Sequence, residues 1–244
     1  MKRAIYLIIL SAITVFCVIY SVVRDSGGDF SINGNRIWGA SQSIDVNLDN
    51  FDSIVIDADV MEILVKKGTG YTMSYSCNKK CEPQYHVENG KLYIEQKSNA
   101  KLLRQIKCNM IITVPEPAKL ELVDAQVNVG DITFSGVDTE EYRLTTDVGE
   151  IKINNANINK AVINTSVGDI DIERCEFANL DIKSDVGDVS IKSRKDISEY
   201  TLDLKVNLGE ISVNGEDHLQ QYKVNGNKCQ VKVDNNMGDI SLDY

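Results

Sequence analysis

Val167-Gly168-Asp169-Ile170 is one copy of a phrase that recurs along this chain: an apolar residue, glycine, an acid and a β-branched residue. The glycines of its six copies are 19, 19, 19, 22 and 29 residues apart, at Gly130, Gly149, Gly168, Gly187, Gly209 and Gly238. Self-similarity at a nearly fixed period is the signature of an architecture in which each repeat stacks on the next. Asp59-Val60-Met61-Glu62-Ile63 has methionine in place of the glycine, and we interpret it as a degenerate first copy.

Within each regular unit, apolar and polar residues alternate in two short segments. Counted from the residue before glycine, positions 4, 6, 9, 14 and 16 are apolar, as in Ile151, Ile153, Ala156, Ala161 and Ile163. Period-2 alternation predicts β-strands, and the polar stretches at positions 7–13 and 17–19 predict turns. The expected fold class is all-β: a single-stranded β-solenoid of about 19-residue coils, with equivalent positions in ladders about 4.8 Å apart.

The glycine suits a sharp corner, because it accepts a positive φ and lets successive backbones pack closely. The residue two places before it is polar, and such side chains cap turns by bonding their own backbone. These predicted caps are Asn128, Asp147, Ser166, Asp185, Asn207 and Asn236. The fifth unit carries an insertion at residues 214–230, which is predicted to cover the open edge of the last coil.

The remaining segments divide the chain into an anchor, a linker and one domain. Residues 4–23 are an apolar run after Lys2-Arg3, which predicts an N-terminal transmembrane helix within residues 1–24, with a cleaved signal peptide as the alternative. The basic start predicts a single-pass cell-membrane protein whose C-terminal domain is extracytoplasmic. Residues 25–40 are a linker and residues 41–244 the solenoid domain. Residues 66–119 break the period and are interpreted as a β-hairpin insertion, with Asn89-Gly90 as its type I′ turn.

Charge and cysteine content limit the partners and the compartment. Beyond residue 24 the chain has 36 acidic and 23 basic residues, a net charge of −13, which disfavours nucleic acid and anionic lipid. In an exported domain we expect a disulfide among Cys77, Cys81 and Cys108, whose pairing stays open between Cys77–Cys108, Cys77–Cys81 and unpaired thiols. Cys175 falls on an inward position and is predicted to be a buried, unreactive thiol.

Position 3 of the unit is acidic in every copy, so stacked coils would align a file of carboxylates, expected in the order Glu62, Asp131, Glu150, Asp169, Asp188, Glu210 and Asp239. Neighbours about 4.8 Å apart repel by roughly 1 kcal/mol in water. In one interpretation these acids accept bonds from corner N–H groups and face solvent. In another, oxygen ligands hold Ca²⁺ between coils, through Asp147, Glu150, Asp169, Asp185 and Asp188. In a third, a carboxylate pair cleaves a glycan, which requires one acid with a raised pKa.

The Val-Gly-Asp-Ile array, the opening Phe51–Val60 stretch and the Ile111–Pro115 strand resemble the bacterial DUF4097 family over roughly residues 44–244. The resemblance implies a solenoid-like β-repeat domain, often at the cell surface behind an N-terminal membrane segment. In some members it implies a place beside envelope-stress signalling systems. It implies no catalytic residues, so none is assigned.

Together these features predict a membrane-anchored, extracytoplasmic, non-catalytic β-solenoid that acts as an adhesin-like binding or scaffolding module at the cell envelope. Its expected contacts are the membrane, through residues 4–23, and an envelope protein or polymer; no cofactor is required beyond the Ca²⁺ considered above. Two alternatives remain: a component of envelope-stress signalling that acts through a membrane partner, and a glycan-cleaving β-helix enzyme.

Overall fold

The structure, a computed structural model, describes residues 41–78, 81–98, 108–116 and 119–244. The predicted anchor and linker, residues 1–40, lie outside this part, and no helix within the described ranges is long and apolar enough to cross a membrane. The described chain is all-β, with twenty strands: β1 (Ser41–Asn47), β2 (Ser53–Val60), β3 (Glu62–Gly68), β4 (Thr72–Asn78), β5 (Gln84–Glu88), β6 (Lys91–Gln96), β7 (Cys108–Pro115), β8 (Leu120–Val129), β9 (Ile132–Ser135), β10 (Thr139–Val148), β11 (Ile151–Asn154), β12 (Asn157–Val167), β13 (Ile170–Val186), β14 (Val189–Ser193), β15 (Thr201–Leu208), β16 (Ile211–Val213), β17 (Glu216–His218), β18 (Gln221–Val224), β19 (Gln230–Met237) and β20 (Ile240–Asp243).

Each coil consists of two strands joined at a corner, as β10 and β11 are joined at Gly149. Strands of successive coils pair in parallel with a 19-residue offset, so that Leu144 lies between Ala125 and Ile163. The apolar positions predicted to face inward are buried in every regular coil, which confirms the alternation. Side chains of the two sheet faces thus fill one core, in which Tyr142 donates its hydroxyl to the carbonyl oxygen of Val137 at 2.8 Å.

The coils do not stack in sequence order. The second half of β13 pairs with β19, and β19 pairs with β15, while β20 lies between β14 and β16. The coil of Gly238 is therefore inserted between the coils of Gly187 and Gly209. At the other end β6 and β7 pair with the outer sides of β2 and β3, so the first coil in sequence is the second in space. Equivalent repeats offer equivalent edges, so spacing along the chain does not determine which coils become neighbours.

Antiparallel strands cover both ends of the stack. At one end β5 lies on β6, β4 on β7 and β1 on β4. At the other end β18 lies on β15 and β17 on β16, so the insertion at 214–230 covers the coil of Gly209, not the last coil in sequence. The segment 66–119 is also more than a hairpin, because it supplies the outermost coil. Its predicted turn is present, with φ +51° at Asn89 and +76° at Gly90, as a type I′ turn requires.

Four of the five described cysteines are buried, and Cys229 is partly exposed. Cys77 on β4 and Cys108 on β7 lie directly opposite each other, 4.2 Å apart at Cα, and form a disulfide, which resolves the open pairing. Cys81 is also buried. Cys175 is fully buried, as predicted, and its thiol donates to the carbonyl oxygens of Ile153 and Glu173 at 3.4 Å. Burial raises the pKa of this thiol, which keeps it in its less nucleophilic protonated form.

Both predicted turns are instead strand, wholly or in part. Positions 7–13 of the Gly168 coil, residues 173–179, lie within β13. Positions 17–19, interpreted as polar turns, belong to the long strands β10, β12 and β13 that run up to each corner. Their middle residues point inward and form a buried polar file across four neighbouring coils: Thr146, Thr165, Ser184 and Asn235. These polar side chains preserve the inward–outward alternation of a strand. Because they are not apolar, the sequence pattern of apolar residues did not predict a strand here. In this file the Asn235 side-chain amide donates to the Gly187 carbonyl oxygen at 2.9 Å.

Candidate functional site along the glycine corners

At each glycine corner two backbones nearly touch. Gly168 has φ +147°, and a Cβ atom there would lie 1.9 Å from the carbonyl oxygen of Gly149. The Gly168 N–H in turn donates to the carbonyl oxygen of Val186 at 2.8 Å. Only glycine accepts both the φ and the approach. The main role of the corner motif is therefore to let the coils stack. The residues around the glycines form a continuous outer surface, which we call the corner edge.

Seven corners contribute to the corner edge, in the spatial order Met61, Gly130, Gly149, Gly168, Gly187, Gly238 and Gly209. Met61 keeps its backbone out of the left-handed region and buries its side chain completely. The degenerate copy is thus a true corner with a different local geometry. Its carbonyl oxygen still approaches the next corner, because a Cβ on Gly130 would lie 2.1 Å from it.

The acid file forms, but its last two members are exchanged relative to the expected order, because the coil of Asp239 precedes that of Glu210. Four aspartates brace the neighbouring corner: an Oδ1 atom accepts the backbone N–H of the next acid at 2.8–2.9 Å, in the pairs Asp131–Glu150, Asp169–Asp188, Asp188–Asp239 and Asp239–Glu210. A hydrogen bond to a charged group contributes about 1.5–3 kcal/mol. That offsets the roughly 1 kcal/mol of repulsion between adjacent carboxylates, and the first interpretation of the file accounts for these contacts.

The residues predicted to bind calcium are divided among other partners. Glu150 pairs with the Lys152 amine at 2.5 Å and raises the pKa of that lysine. Asp185 accepts the Asn236 amide at 2.7 Å, and Asp169 and Asp188 brace the corners described above. Asp147 is exposed. In the described part of the chain no three acidic, histidine or cysteine side chains converge in a metal-binding arrangement. The calcium site stays a prediction.

The polar residues two places before the glycines do not cap their own turns. The Asn236 amide donates to Asp185 at 2.7 Å, and the Asn207 amide donates to Asn236 Oδ1, also at 2.7 Å. At the other end of the file the Asn128 amide donates to Asp59 at 3.2 Å. These bonds run from coil to coil because the strand continues into the corner and leaves no local turn to cap. The residues therefore form a second polar file, parallel to the acids.

Between the two polar files runs a row of apolar side chains that the sequence reasoning missed. It consists of the residue immediately before each corner, and we call it the apolar rail: Val60, Val129, Val148, Val167, Val186, Met237 and Leu208, in spatial order. Its members are partly to largely exposed, with 38% exposure at Val129 and 52% at Leu208. The sequence did carry a signal for this row: every copy has an apolar residue directly before the glycine, where the strand alternation is interrupted.

Two carboxylates on the faces of the coils have perturbed pKa values, in the direction opposite to that of a catalytic acid. Hydrogen bonds from Arg143 and Lys160 lower the pKa of Glu141. Lys195 and Arg194 lower the pKa of Glu176 in the same way. A general acid for glycan cleavage needs a raised pKa. Both carboxylates are instead held ionised by surface ion pairs.

Comparison with known proteins places the fold. The family model described as Toastrack DUF4097 matches residues 51–244. A solved "putative cell adhesion protein" from Clostridium sporogenes is 15% identical, with 83% of this chain and 99% of that one covered and a TM-score of 0.52. A "putative adhesin" from Bacteroides fragilis is 14% identical, with 84% and 97% covered and a TM-score of 0.47. None of the curated proteins matches this sequence. The family model spans most of the chain, and the chain therefore belongs to the Toastrack DUF4097 family.

Proposed function

We propose that this protein is a membrane-anchored, extracytoplasmic, non-catalytic module that binds or scaffolds a partner at the cell envelope. The observation that carries the proposal is the corner edge itself. Seven corners hold equivalent side chains at matched register positions on a hydrogen-bonded backbone, an arrangement suited to presenting a repeated surface. Solenoids use such extended surfaces for binding. Similarity to a protein named for cell adhesion is in keeping with this role.

The Cys77–Cys108 disulfide supports the extracytoplasmic placement. Disulfides of this structural kind persist in oxidising compartments and are rare in the cytosol. The apolar run at residues 4–23, which precedes the described domain, supports the membrane anchor.

Placement can be tested with a single introduced thiol. Leu219 is 88% exposed in the covering segment, so Leu219→Cys adds an accessible cysteine without removing a core contact. A membrane-impermeant maleimide should label this variant in intact cells as fully as in lysed cells, and the parent chain much less. Labelling that requires lysis would contradict the extracytoplasmic placement.

Binding can be tested by cross-linking the full chain in intact cells and capturing it under denaturing conditions. A specific envelope protein or wall polymer should be recovered above the level captured by an unrelated membrane-anchored domain. Recovery of nothing above that control would refute the proposal. Turnover of a wall polysaccharide by the purified chain, abolished by Asp169→Asn or Asp188→Asn, would instead support the enzyme alternative.

A further inference from the structure

The apolar rail is unusual because it is continuous and partly exposed: Val129 and Leu208 are exposed, and the other five side chains are partly buried. Its seven side chains are at matched register positions in neighbouring parallel strands, from Val60 at one end to Leu208 at the other. Six steps of about 4.8 Å give a row about 29 Å long and one residue wide. The core is filled by the inward positions of the same strands, and of the rail side chains Val60 alone packs against it.

The rail is flanked by negative charge on both sides. All seven positions of the acid file are carboxylates, and three of the seven positions in the other polar file are too: Asp59, Asp147 and Asp185. Neither file contains a lysine or an arginine. A ligand that lies along the rail therefore meets apolar side chains in its centre and carboxylates at both edges.

The backbone of the rail is not available for pairing. Gly149, Gly168 and their equivalents donate to carbonyl oxygens of the residues in the rail, as Gly149 N–H does to Val167 at 2.9 Å. An added β-strand would find no open ladder there, so recognition must use side chains. Alternate residues of an extended strand would also repeat at nearly 7 Å. One turn of an α-helix advances 5.4 Å, which is closer to the spacing of the coils.

From this surface we infer the partner class: the corner edge binds a basic amphipathic α-helix of a protein partner. The helix places a narrow apolar stripe on the rail and lysine or arginine on both sides against the carboxylates. About 19 residues would cover the whole rail at 1.5 Å per residue. A second copy of this chain would set acids against acids, and an anionic bilayer would be repelled. The inference rests on the proposed binding function and adds the chemistry of the partner.

The test uses the full chain and a synthetic helical peptide with leucine along one narrow stripe and lysine on either side. Two control peptides are a scrambled sequence of equal composition and a version with glutamate for lysine. Fluorescence anisotropy should show binding of the first peptide and at least about tenfold weaker binding of both controls. Affinity should also fall as salt rises, because the flanking contacts are exposed charges. Equal binding of the scrambled peptide would overturn the inference.

Matched variants locate the site. Asp169→Asn with Asp188→Asn removes two charges and keeps an oxygen that can accept the bracing N–H groups. Val148→Thr with Val167→Thr keeps the shape of the rail and makes it polar. Each pair should weaken the peptide at least about fivefold, whereas Glu88→Gln with Glu121→Gln, exposed acids away from the corners, should not.

Three further outcomes would overturn the inference: unchanged peptide affinity in both the aspartate and the valine variant pair, a dimer that Val167→Thr dissociates, or binding of anionic lipid vesicles to the same surface. The failures of the two proposals are distinguishable. If both the aspartate and the valine variant pair still capture an envelope partner in cells, the binding function stands and the helix inference is wrong. If no partner is captured from the parent chain, the binding function itself fails.

Discussion

Replacing Gly168 by alanine tests whether the corner glycines are required for stacking. At φ +147° an alanine carries backbone strain of about 1–3 kcal/mol. Its Cβ would also start 1.9 Å from the Gly149 carbonyl oxygen, more than 1 Å inside an ordinary carbon–oxygen contact. The two coils must separate by about that amount to accommodate it.

The separation breaks the bonds that join these coils. Gly149 donates to Val167 at 2.9 Å and Ile151 donates to Asp169 at 3.0 Å, and both bonds lengthen beyond hydrogen-bonding distance if the corner opens by 1 Å. Each unmet group costs about 1–3 kcal/mol. With the strain, Gly168→Ala should lower the free energy of unfolding by about 3–9 kcal/mol, a large part of the stability of a typical domain.

Two other glycines provide matched controls. Gly215 has φ +76° with open space where a Cβ would stand, so Gly215→Ala carries only the left-handed penalty of about 1–2 kcal/mol. Gly70 has open space and no left-handed backbone, so Gly70→Ala should stay within about 0.5 kcal/mol of the parent. Urea unfolding followed by far-ultraviolet circular dichroism measures all three. A Gly168→Ala chain no less stable than Gly215→Ala would refute the steric argument.

Further predictions concern the cysteines, one tyrosine and calcium. The Cys77–Cys108 bond closes a segment with a sequence separation of 31, so its loss should destabilise the fold by about 3.7 kcal/mol in the chain-entropy model, measured by urea unfolding of the double alanine variant. Native Cys175 should react with iodoacetamide far more slowly than the half-exposed Cys229, as read by mass spectrometry of the labelled peptides. Burial and a hydrogen bond to Glu82 raise the pKa of Tyr75 to about 12. The stability that the protonated Tyr75 contributes is therefore complete below pH 10 and is lost as the pH rises towards 12. Urea unfolding at a series of pH values across this range should show the loss. The calcium hypothesis predicts a melting temperature several degrees higher in millimolar calcium than in chelator.

Each of these predictions has its own control. Reductant should destabilise the parent chain and leave the Cys77→Ala, Cys108→Ala chain unchanged; an equal effect on both would contradict the disulfide argument. Equal labelling rates at the two thiols would contradict the burial of Cys175. A Tyr75→Phe chain should lose less stability between pH 10 and 12 than the parent. Equal losses of stability in the two chains would contradict the role of Tyr75. Identical melts with and without calcium would end the calcium hypothesis.

What the sequence could predict was local. The alternation that buries Ile151 and Ile153, the glycine corners and the turn at Asn89-Gly90 each depend on a few adjacent residues, and all are confirmed. The polar file through Thr165 was assigned to turns because hydroxyl side chains can be buried in a strand or exposed in a turn. The order in which the coils stack could not be predicted, since repeats with the same motif can pair along the same strand edges.

The candidate surface was predicted only in part. Its acids were visible because they recur next to each glycine, and so was their alignment once a solenoid was assumed. The role of Asp169 as a brace for the next corner depends on a 2.8 Å contact between coils, which no spacing reveals. The apolar rail went unnoticed because Val167 and its equivalents were counted as part of the motif, and whether they face outward is decided by the corner geometry.

The inserted position of β19 and β20 has a consequence for how the chain reaches its native state. A solenoid ordinarily grows from a nucleus by adding the next coil in sequence. Here β15 and β16 are made before the coil that separates them from β13 and β14, and they carry the same pairing edges, so docking them directly would be a kinetic trap. Asn235 discriminates between the two arrangements: its amide reaches the Gly187 carbonyl oxygen at 2.9 Å, whereas Val206 occupies the equivalent place on β15 and has no such donor. This buried hydrogen bond therefore favours the observed coil order over direct docking of β15 on β13.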